Sequence, residues 1–174
     1  QLEAYAVQTG DASFVAVQIA GCDSALRWMA SPTLHKLKNE AAVNTANSEF
    51  AAFPVGDQAY YAGEPTDGVS GKTYGWTGNA FLRVYTASLS SEGSLSAPSF
   101  ADADINGGEY HVGPIVSEED GNTLYVTRTY TGKDGERQKV SGRRYRTQLL
   151  ELYIYQRKNG AWVAEPFAYN NVKE

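Results

Sequence analysis

Apolar positions along this chain follow two different periods. In ASFVAVQIAGCDSALRWM, residues 12–29, they recur at helical spacing. Phe14, Val17, Gly21, Ala25 and Trp28 fall on one line, and Val15, Ile19, Cys22, Leu26 and Met29 on the next. Polar Gln18, Asp23 and Arg27 fall elsewhere, so the pattern predicts an amphipathic helix. Asp11 or Ser13 is positioned to cap its start, and Ser31-Pro32 to stop it. Its wide apolar face is expected to pack on another helix or on the domain that follows. Beyond Pro32 the period shortens, and apolar stretches are punctuated by turn residues. Strands are predicted over 34–43, 50–55 and, after the Gly56-Asp57 turn, 59–62. Others follow over 81–89 (FLRVYTASL) and 95–100, and the pattern then restarts over 111–116 and 123–129, around the Asp120-Gly121 turn. LLELYIYQ (149–156) is apolar or aromatic on both faces, which predicts a strand buried on both. Asn159-Gly160 turns it into AWVAEPF.

The restart is a repeat. Val43-Asn44 and Ile105-Asn106 each precede a Glu-aromatic pair, Glu49-Phe50 and Glu109-Tyr110, with Pro54 and Pro114 at the same distance. LRVYTASL aligns with LELYIYQR, setting Val84-Tyr85 on Leu152-Tyr153, and SAPSF aligns with VAEPF, setting Phe100 on Phe167. A third unit begins at Asn170, so Asn44, Asn106 and Asn170 lie 62 and 64 residues apart. Four strands per unit at this period is the signature of a β-propeller blade stretched by insertions. The expected fold is therefore mainly β: part of a β-propeller, about two four-stranded blades plus an edge strand, preceded by one α-helix. Residues 1–32 are assigned to a helical region and 33–174 to the propeller, with blade one at about 44–105 and blade two at about 106–169. Two blades do not close a ring, so the chain is expected to be a piece of a larger protein, with the 34–43 strand completing a blade from elsewhere.

Composition agrees and narrows the function. Twelve tyrosines and seventeen glycines against one methionine suit many short strands and turns. The net charge of −5 argues against a nucleic-acid partner, and no apolar run has the length of a membrane span. The single Cys22 closes no internal disulfide. Its setting, IAGC, imitates a lipoprotein cleavage site, but no Lys or Arg precedes Arg27 and the helical stripe runs on to Trp28. Cys22 reads as a buried, inert core cysteine.

The segments NTANSEF…YYAG, INGGEYHVGPIVSEEDGNTLYVTRT and ELYIYQRKNGAWVAEPFAYNNVKE resemble the WD40-like (PD40) propeller of OmpA-family, peptidoglycan-associated outer-membrane lipoproteins, from bacteria that use type IX secretion. In that family tetratricopeptide helices precede the propeller, and FVAVQIAGCDSALRWMASP resembles the last of them. The resemblance covers about residues 22–174. It implies a non-enzymatic scaffold in the periplasm, associated with the outer membrane, whose partners are other envelope or secretion-machine proteins. Peptidoglycan contact would run only through a domain not in this chain. Blade one departs from the family pattern, with Gly56-Asp57 where Asp-Gly is usual and Tyr60-Tyr61 in place of Leu-Tyr.

Motifs for chemistry are weak. GVSGKT (68–73) lacks the first glycine of a phosphate loop and its strand-loop-helix setting. DADINGGE places Asp102, Asp104 and Asn106 at alternate positions, as a calcium loop would, yet the twelfth position is Gly113 rather than glutamate. His35 and His111 have no visible partner, and Glu118-Glu119-Asp120 reads as a solvated turn. No catalytic, cofactor-binding or metal-binding residue is assigned. The insertions say more. GEPTDGVSGKTYGWTGN (63–79) and GKDGERQKVSGRRYRTQ (132–148) both join second to third strands, which places them at the same end of a meander. The second carries Lys133, Arg137, Lys139, Arg143, Arg144 and Arg146 against Asp134 and Glu136, while Tyr74, Trp76 and Tyr145 add interface aromatics. These residues form the candidate docking loop for an acidic or polar protein partner. Two alternatives stay open: a ligand-binding propeller for glycan, peptidoglycan fragments or calcium, and a fragment of a propeller hydrolase.

Overall fold

The computed structural model describes residues 1–10, 12–66, 72–133 and 135–171. They divide into two compact units, Gln1–Lys38 and Asn39–Glu174.

The first unit is helical. Helix α1 (Leu2–Thr9), which the apolar pattern did not announce, precedes α2 (Ala12–Ala30). The observed α2 matches the predicted helix; Ser13 falls inside it, and Asp11 lies outside the described residues. The ring of Tyr5 stands 6.2 Å from that of Phe14, and beside this contact Val15 is buried. Eight helical residues span only about 12 Å, so α1 covers the start of α2 and no more. Phe14, Val17, Leu26, Trp28 and Met29 are exposed, and so is Cys22, contrary to the expectation of a core cysteine.

Residues 34–43 do not form the expected edge strand. Leu34 and Leu37 are fully exposed and have no strand to pair with among the described residues. The segment ends instead in a helical turn, in which the N–H groups of Val43 and Asn44 both donate to the Glu40 carbonyl at 2.9 Å.

The second unit holds the repeat. Strands β1 (Glu49–Val55), β2 (Gln58–Gly63), β3 (Arg83–Leu89) and β4 (Leu95–Phe100) pair in sequence order as an antiparallel meander. A short helix, α3 (Ala103–Asn106), leads to β5 (Val112–Ser117) and β6 (Thr123–Thr129). The hairpin β7 (Arg137–Val140) and β8 (Arg143–Arg146) forms its own two-stranded sheet, and β9 (Leu150–Lys158) and β10 (Ala161–Pro166) then complete a second meander in the order β10-β9-β6-β5. Eight of the nine predicted strands are present.

One face of the first sheet packs on the second through Tyr60, Val84, Ile115, Leu124, Val126, Tyr155 and Trp162. Strand β5 makes the closest approach. A Cβ on Gly113 would come within 3.0 Å of Ala62 Cβ and 3.4 Å of Val84 Cγ2, and its φ of +106° already disfavours any side chain. The opposite face of the first sheet carries Tyr61, Ala87, Tyr85 and Leu95, with Val43 packed on them. Rings of Tyr61 and Tyr85 stack at 5.2 Å, and burial pushes the Tyr61 hydroxyl pKa up to about 12. The outer face of the second sheet has no such cover among the described residues. Leu152 and Ile154 are half-buried there and Val116, Leu150 and Val163 are exposed, so β9 is fully buried only at Tyr155 rather than on both faces.

Both meanders are closed by the same asparagine device. Val84 N–H donates to Asn106 Oδ1 at 2.9 Å, and Asn106 Nδ2 returns a bond to the Val84 carbonyl at 2.8 Å. Leu152 N–H donates to Asn170 Oδ1 at 2.9 Å, and Asn170 Nδ2 returns a bond to the Leu152 carbonyl at 2.8 Å. The same two carbonyls also accept from the chain leaving the fourth strand, through Ala101 N–H at 3.0 Å and Phe167 N–H at 2.8 Å. A side-chain amide thus satisfies the donor and acceptor of one third-strand residue as a neighbouring strand would.

The anchors confirm one part of the sequence alignment and correct two others. Val84 and Leu152 are equivalent, but Phe100 pairs with Tyr85 while Pro166 pairs with Tyr153, so Phe100 corresponds to Pro166 and Ala101 to Phe167. A bulge in β4, with Ala97 at φ +48°, supplies the extra residue. Each first strand also carries a bulge with a left-handed residue, Ala51 and Gly113, seven positions after Asn44 and Asn106. On that register Ala51 matches Gly113, not His111, and the Glu-aromatic-Pro echo is a coincidence two residues out of step: Pro54 pairs with Ala59, whereas Pro114 lies in the bulge.

Candidate functional site

The chain leaves β2 and β6 at the end where both insertions emerge. In the first insertion Thr73 and Ala80 bridge, Tyr74 N–H donates to the Asn79 carbonyl at 2.8 Å, and a compact turn results. Tyr74, itself exposed, stands edge-on to His111 at 4.5 Å and tilted against Phe81 at 6.0 Å, while Trp76 at the turn's tip is 88% exposed. Phe81 in turn meets the Tyr110 ring at 5.3 Å. Lys72 pairs with Glu109 and lies over the Tyr110 ring. Residues 67–71, with most of the GVSGKT stretch, fall outside the described residues.

The basic insertion is a hairpin, not an irregular loop. Its two-residue turn, Ser141-Gly142, has φ of +49° and +81°, the left-handed pair that matches the twist of the flanking strands. Register sets Arg137 opposite Arg146 and Lys139 opposite Arg144. Because side chains alternate, these four cations share one face, and Gln138 stands opposite Tyr145 on the other. All four are exposed, and no carboxylate among the described residues pairs with them. Like charges directly opposite weaken a two-stranded sheet that is marginal to begin with. Lys133 is exposed ahead of the hairpin, Arg143 pairs with Val140 in the register, and Asp134 lies outside the described residues.

The two insertions meet. A Cβ on Gly75 would sit 3.7 Å from Tyr145 Cε1, so the Tyr145 ring lies against the backbone of the Tyr74–Trp76 turn. The expectation that both insertions share one end is thereby met: the hairpin abuts the Tyr74–Trp76 turn through Tyr145, on the face opposite the four cations. Tyr74, also exposed, has one edge against His111 and Phe81.

Two residues passed over by sequence reasoning, Glu64 and Arg83, organise this end together with His111. Glu64 is 7% exposed, its N–H donates to the Ser48 carbonyl at 2.9 Å, and its carboxylate accepts from Asn79 Nδ2 at 2.9 Å. Glu64 and Asn79 flank the first insertion, and a carboxylate placed directly after the apolar YYAG strand was the available signal. Arg83 donates to the carbonyls of Leu82 at 2.8 Å and Tyr110 at 2.6 Å. The half-buried His111 accepts the Leu82 N–H at Nδ1, 3.1 Å away. Burial, reinforced by the Arg83 guanidinium and opposed by Glu64, lowers the His111 pKa. A neutral ring whose Nδ1 is committed to a backbone N–H joins the two sheets and is ill placed to act as a base. His35 is exposed beside Thr33.

The calcium-like loop is likewise employed by the fold. Asp102 accepts the Trp162 indole N–H at 2.9 Å, Asn106 is the clasp, and Ala103–Asn106 is helical. Glu40 plays the Asp102 part in the first repeat, accepting the Leu95 N–H at 3.0 Å. Compared with family models, curated proteins and solved structures, the chain matches none of them.

Proposed function

We propose that this chain is a section of a β-propeller, its two meanders being blades at about 44–105 and 106–169 with a third starting at 170. In this reading it is a non-enzymatic periplasmic scaffold, part of a peptidoglycan-associated outer-membrane lipoprotein that assists type IX secretion, and the 1–32 helices belong to a tetratricopeptide region. The observation that carries the reading is the repeated clasp: Asn106 and Asn170 close successive four-stranded units identically, and one unit packs its face on the next. Asn44, at the equivalent position, has its amide on Asn39 at 2.6 Å and lines an open groove. Such an anchor suits the third strand of a preceding blade. The outer face of the first sheet holds a cleft of about 290 Å³ lined by Val43, Tyr61, Glu64, Tyr85 and Phe100. The equivalent face of the second sheet is the one covered by the first, which favours a blade as the cleft's occupant over a glycan. The β7–β8 hairpin with Trp76 and Tyr145 is the docking surface for a secretion-machine or other envelope protein.

The test is a cross-linking pull-down from envelope fractions, comparing the parent polypeptide with one carrying Arg137→Gln, Lys139→Gln, Arg144→Gln and Arg146→Gln. The proposal predicts recovery in the outer-membrane fraction with secretion-machine components that disappear on neutralisation. A cytosolic protein, or partners indifferent to the neutralised hairpin, contradicts it.

A further inference from the structure

The basic hairpin has a geometry that selects among acidic partners. Its four cations form a two-by-two array: Arg137 and Lys139 alternate along β7, Arg144 and Arg146 along β8, and each faces a like charge across the ladder. Alternate residues of a strand recur about every 6.6 Å, and directly opposed side chains stand about 5 Å apart. Both β7 and β8 are edges, since the hairpin pairs with no other sheet among the described residues. An edge offers unpaired backbone groups to an incoming strand.

We propose that this hairpin binds an extended acidic peptide by strand addition, reading carboxylates at alternating positions; the inference rests on the docking role proposed above for the same hairpin. A strand added at either edge places its own alternate side chains directly beside one column of cations. Each carboxylate then relieves a like-charge confrontation and gains a charge-assisted contact, bidentate where the cation is arginine. The cation-bearing face accepts the carboxylates, while Tyr145 and the exposed Trp76 beside it offer apolar area to the partner's remaining side chains. The chain's overall charge of −5 favours a short acidic segment over a long polyanion, which the rest of the surface repels.

Fluorescence anisotropy on the full chain decides the matter, using three labelled probes: an eight-residue peptide alternating Glu and Thr, its isomer with the four Glu contiguous, and an octathymidine. The alternating peptide should bind at least tenfold more tightly than either, weaken as salt rises, and lose about tenfold on Arg137→Gln with Lys139→Gln or on Arg144→Gln with Arg146→Gln. Thermal unfolding confirms that each variant stays folded, and Arg137→Lys with Arg146→Lys, which keeps the charges, should retain much of the binding. Equal affinity for the isomer or the oligonucleotide overturns the proposal in favour of an unpatterned basic patch. So does unchanged binding by the neutralised variants, or no binding of the alternating peptide at all. If the docking role holds but the peptide proposal fails, neutralisation still removes envelope partners although the alternating peptide shows no preference.

Discussion

Val84 and Leu152 occupy the same place in two copies of one device, yet their surroundings differ. Each is a third-strand residue whose N–H and C=O are held by an asparagine from the following segment, with nearly the same bond lengths. Val84 is fully buried because the second sheet packs over it; Leu152 is only half-buried, on a face with no sheet against it among the described residues. The clasp is therefore local, set by the stretch of chain that leaves the fourth strand, whereas burial comes from the neighbouring sheet. That division is how repeat architectures are built: an intrinsic unit plus an interface term.

The comparison can be broken most severely at Gly113, where the interface is tightest. Gly113→Val adds a side chain at positive φ against Ala62, and should cost roughly 3 kcal/mol in urea unfolding through strain and overpacking. A loss under about 1 kcal/mol would mean that the sheets are not packed as described. The clasps come next. Asn106→Ala strands the buried Val84 N–H and should cost about 2 kcal/mol, while Asn170→Ala, where water can reach Leu152, should cost about 1 kcal/mol or less. Equal losses would erase the distinction between a covered and an uncovered joint.

Acidification probes the same joint more gently. Burial lowers the His111 pKa, so the unfolded chain binds the proton more readily and stability should fall as pH drops through 6.5 towards the folded value. The slope should stay well below the ~1.4 kcal/mol per pH unit of one fully linked proton, because the ring is only half-buried and solvent screens it. His111→Gln should flatten the melting-temperature profile between pH 7.5 and 5; an unchanged slope would assign it to other groups. The smallest effect belongs to the hairpin. Arg146→Glu turns its pairing with Arg137 from like to opposite charge and should slow amide exchange in β7 and β8 a few-fold, without moving the global midpoint.

Much of this was legible in the sequence because it depends on local chemistry. The helical period marked α2, alternation and turn residues marked eight strands, and the spacing of Asn44, Asn106 and Asn170 marked the repeat. What escaped depends on partners. LHKLKNEAAV has strand-like residues, but Leu34 and Leu37 have no ladder to join among the described residues and stay exposed. Cys22 lies on an apolar stripe, yet α1 is too short to reach it. The Glu-aromatic-Pro echo outweighs the true register in the sequence because residue identities do not reveal a bulge at Ala51 or Gly113. For the candidate site, the basic residues and the shared end of the insertions were legible. The hairpin was not: a column of like charges argues against a strand, and only the Ser141-Gly142 turn hinted at one. Arg83 and His111 bond backbone groups, which leave no trace in residue spacing, and Glu64 meets Asn79 from the far end of the insertion.

The most direct test of the repeated unit is native-state hydrogen exchange at the amides of Val84 and Leu152. The account predicts that both are protected by their asparagines, and that Val84, sealed by the second sheet, exchanges only with global unfolding while Leu152 opens more readily. Exchange of both at loop-like rates, or slower exchange at Leu152 than at Val84, would contradict it.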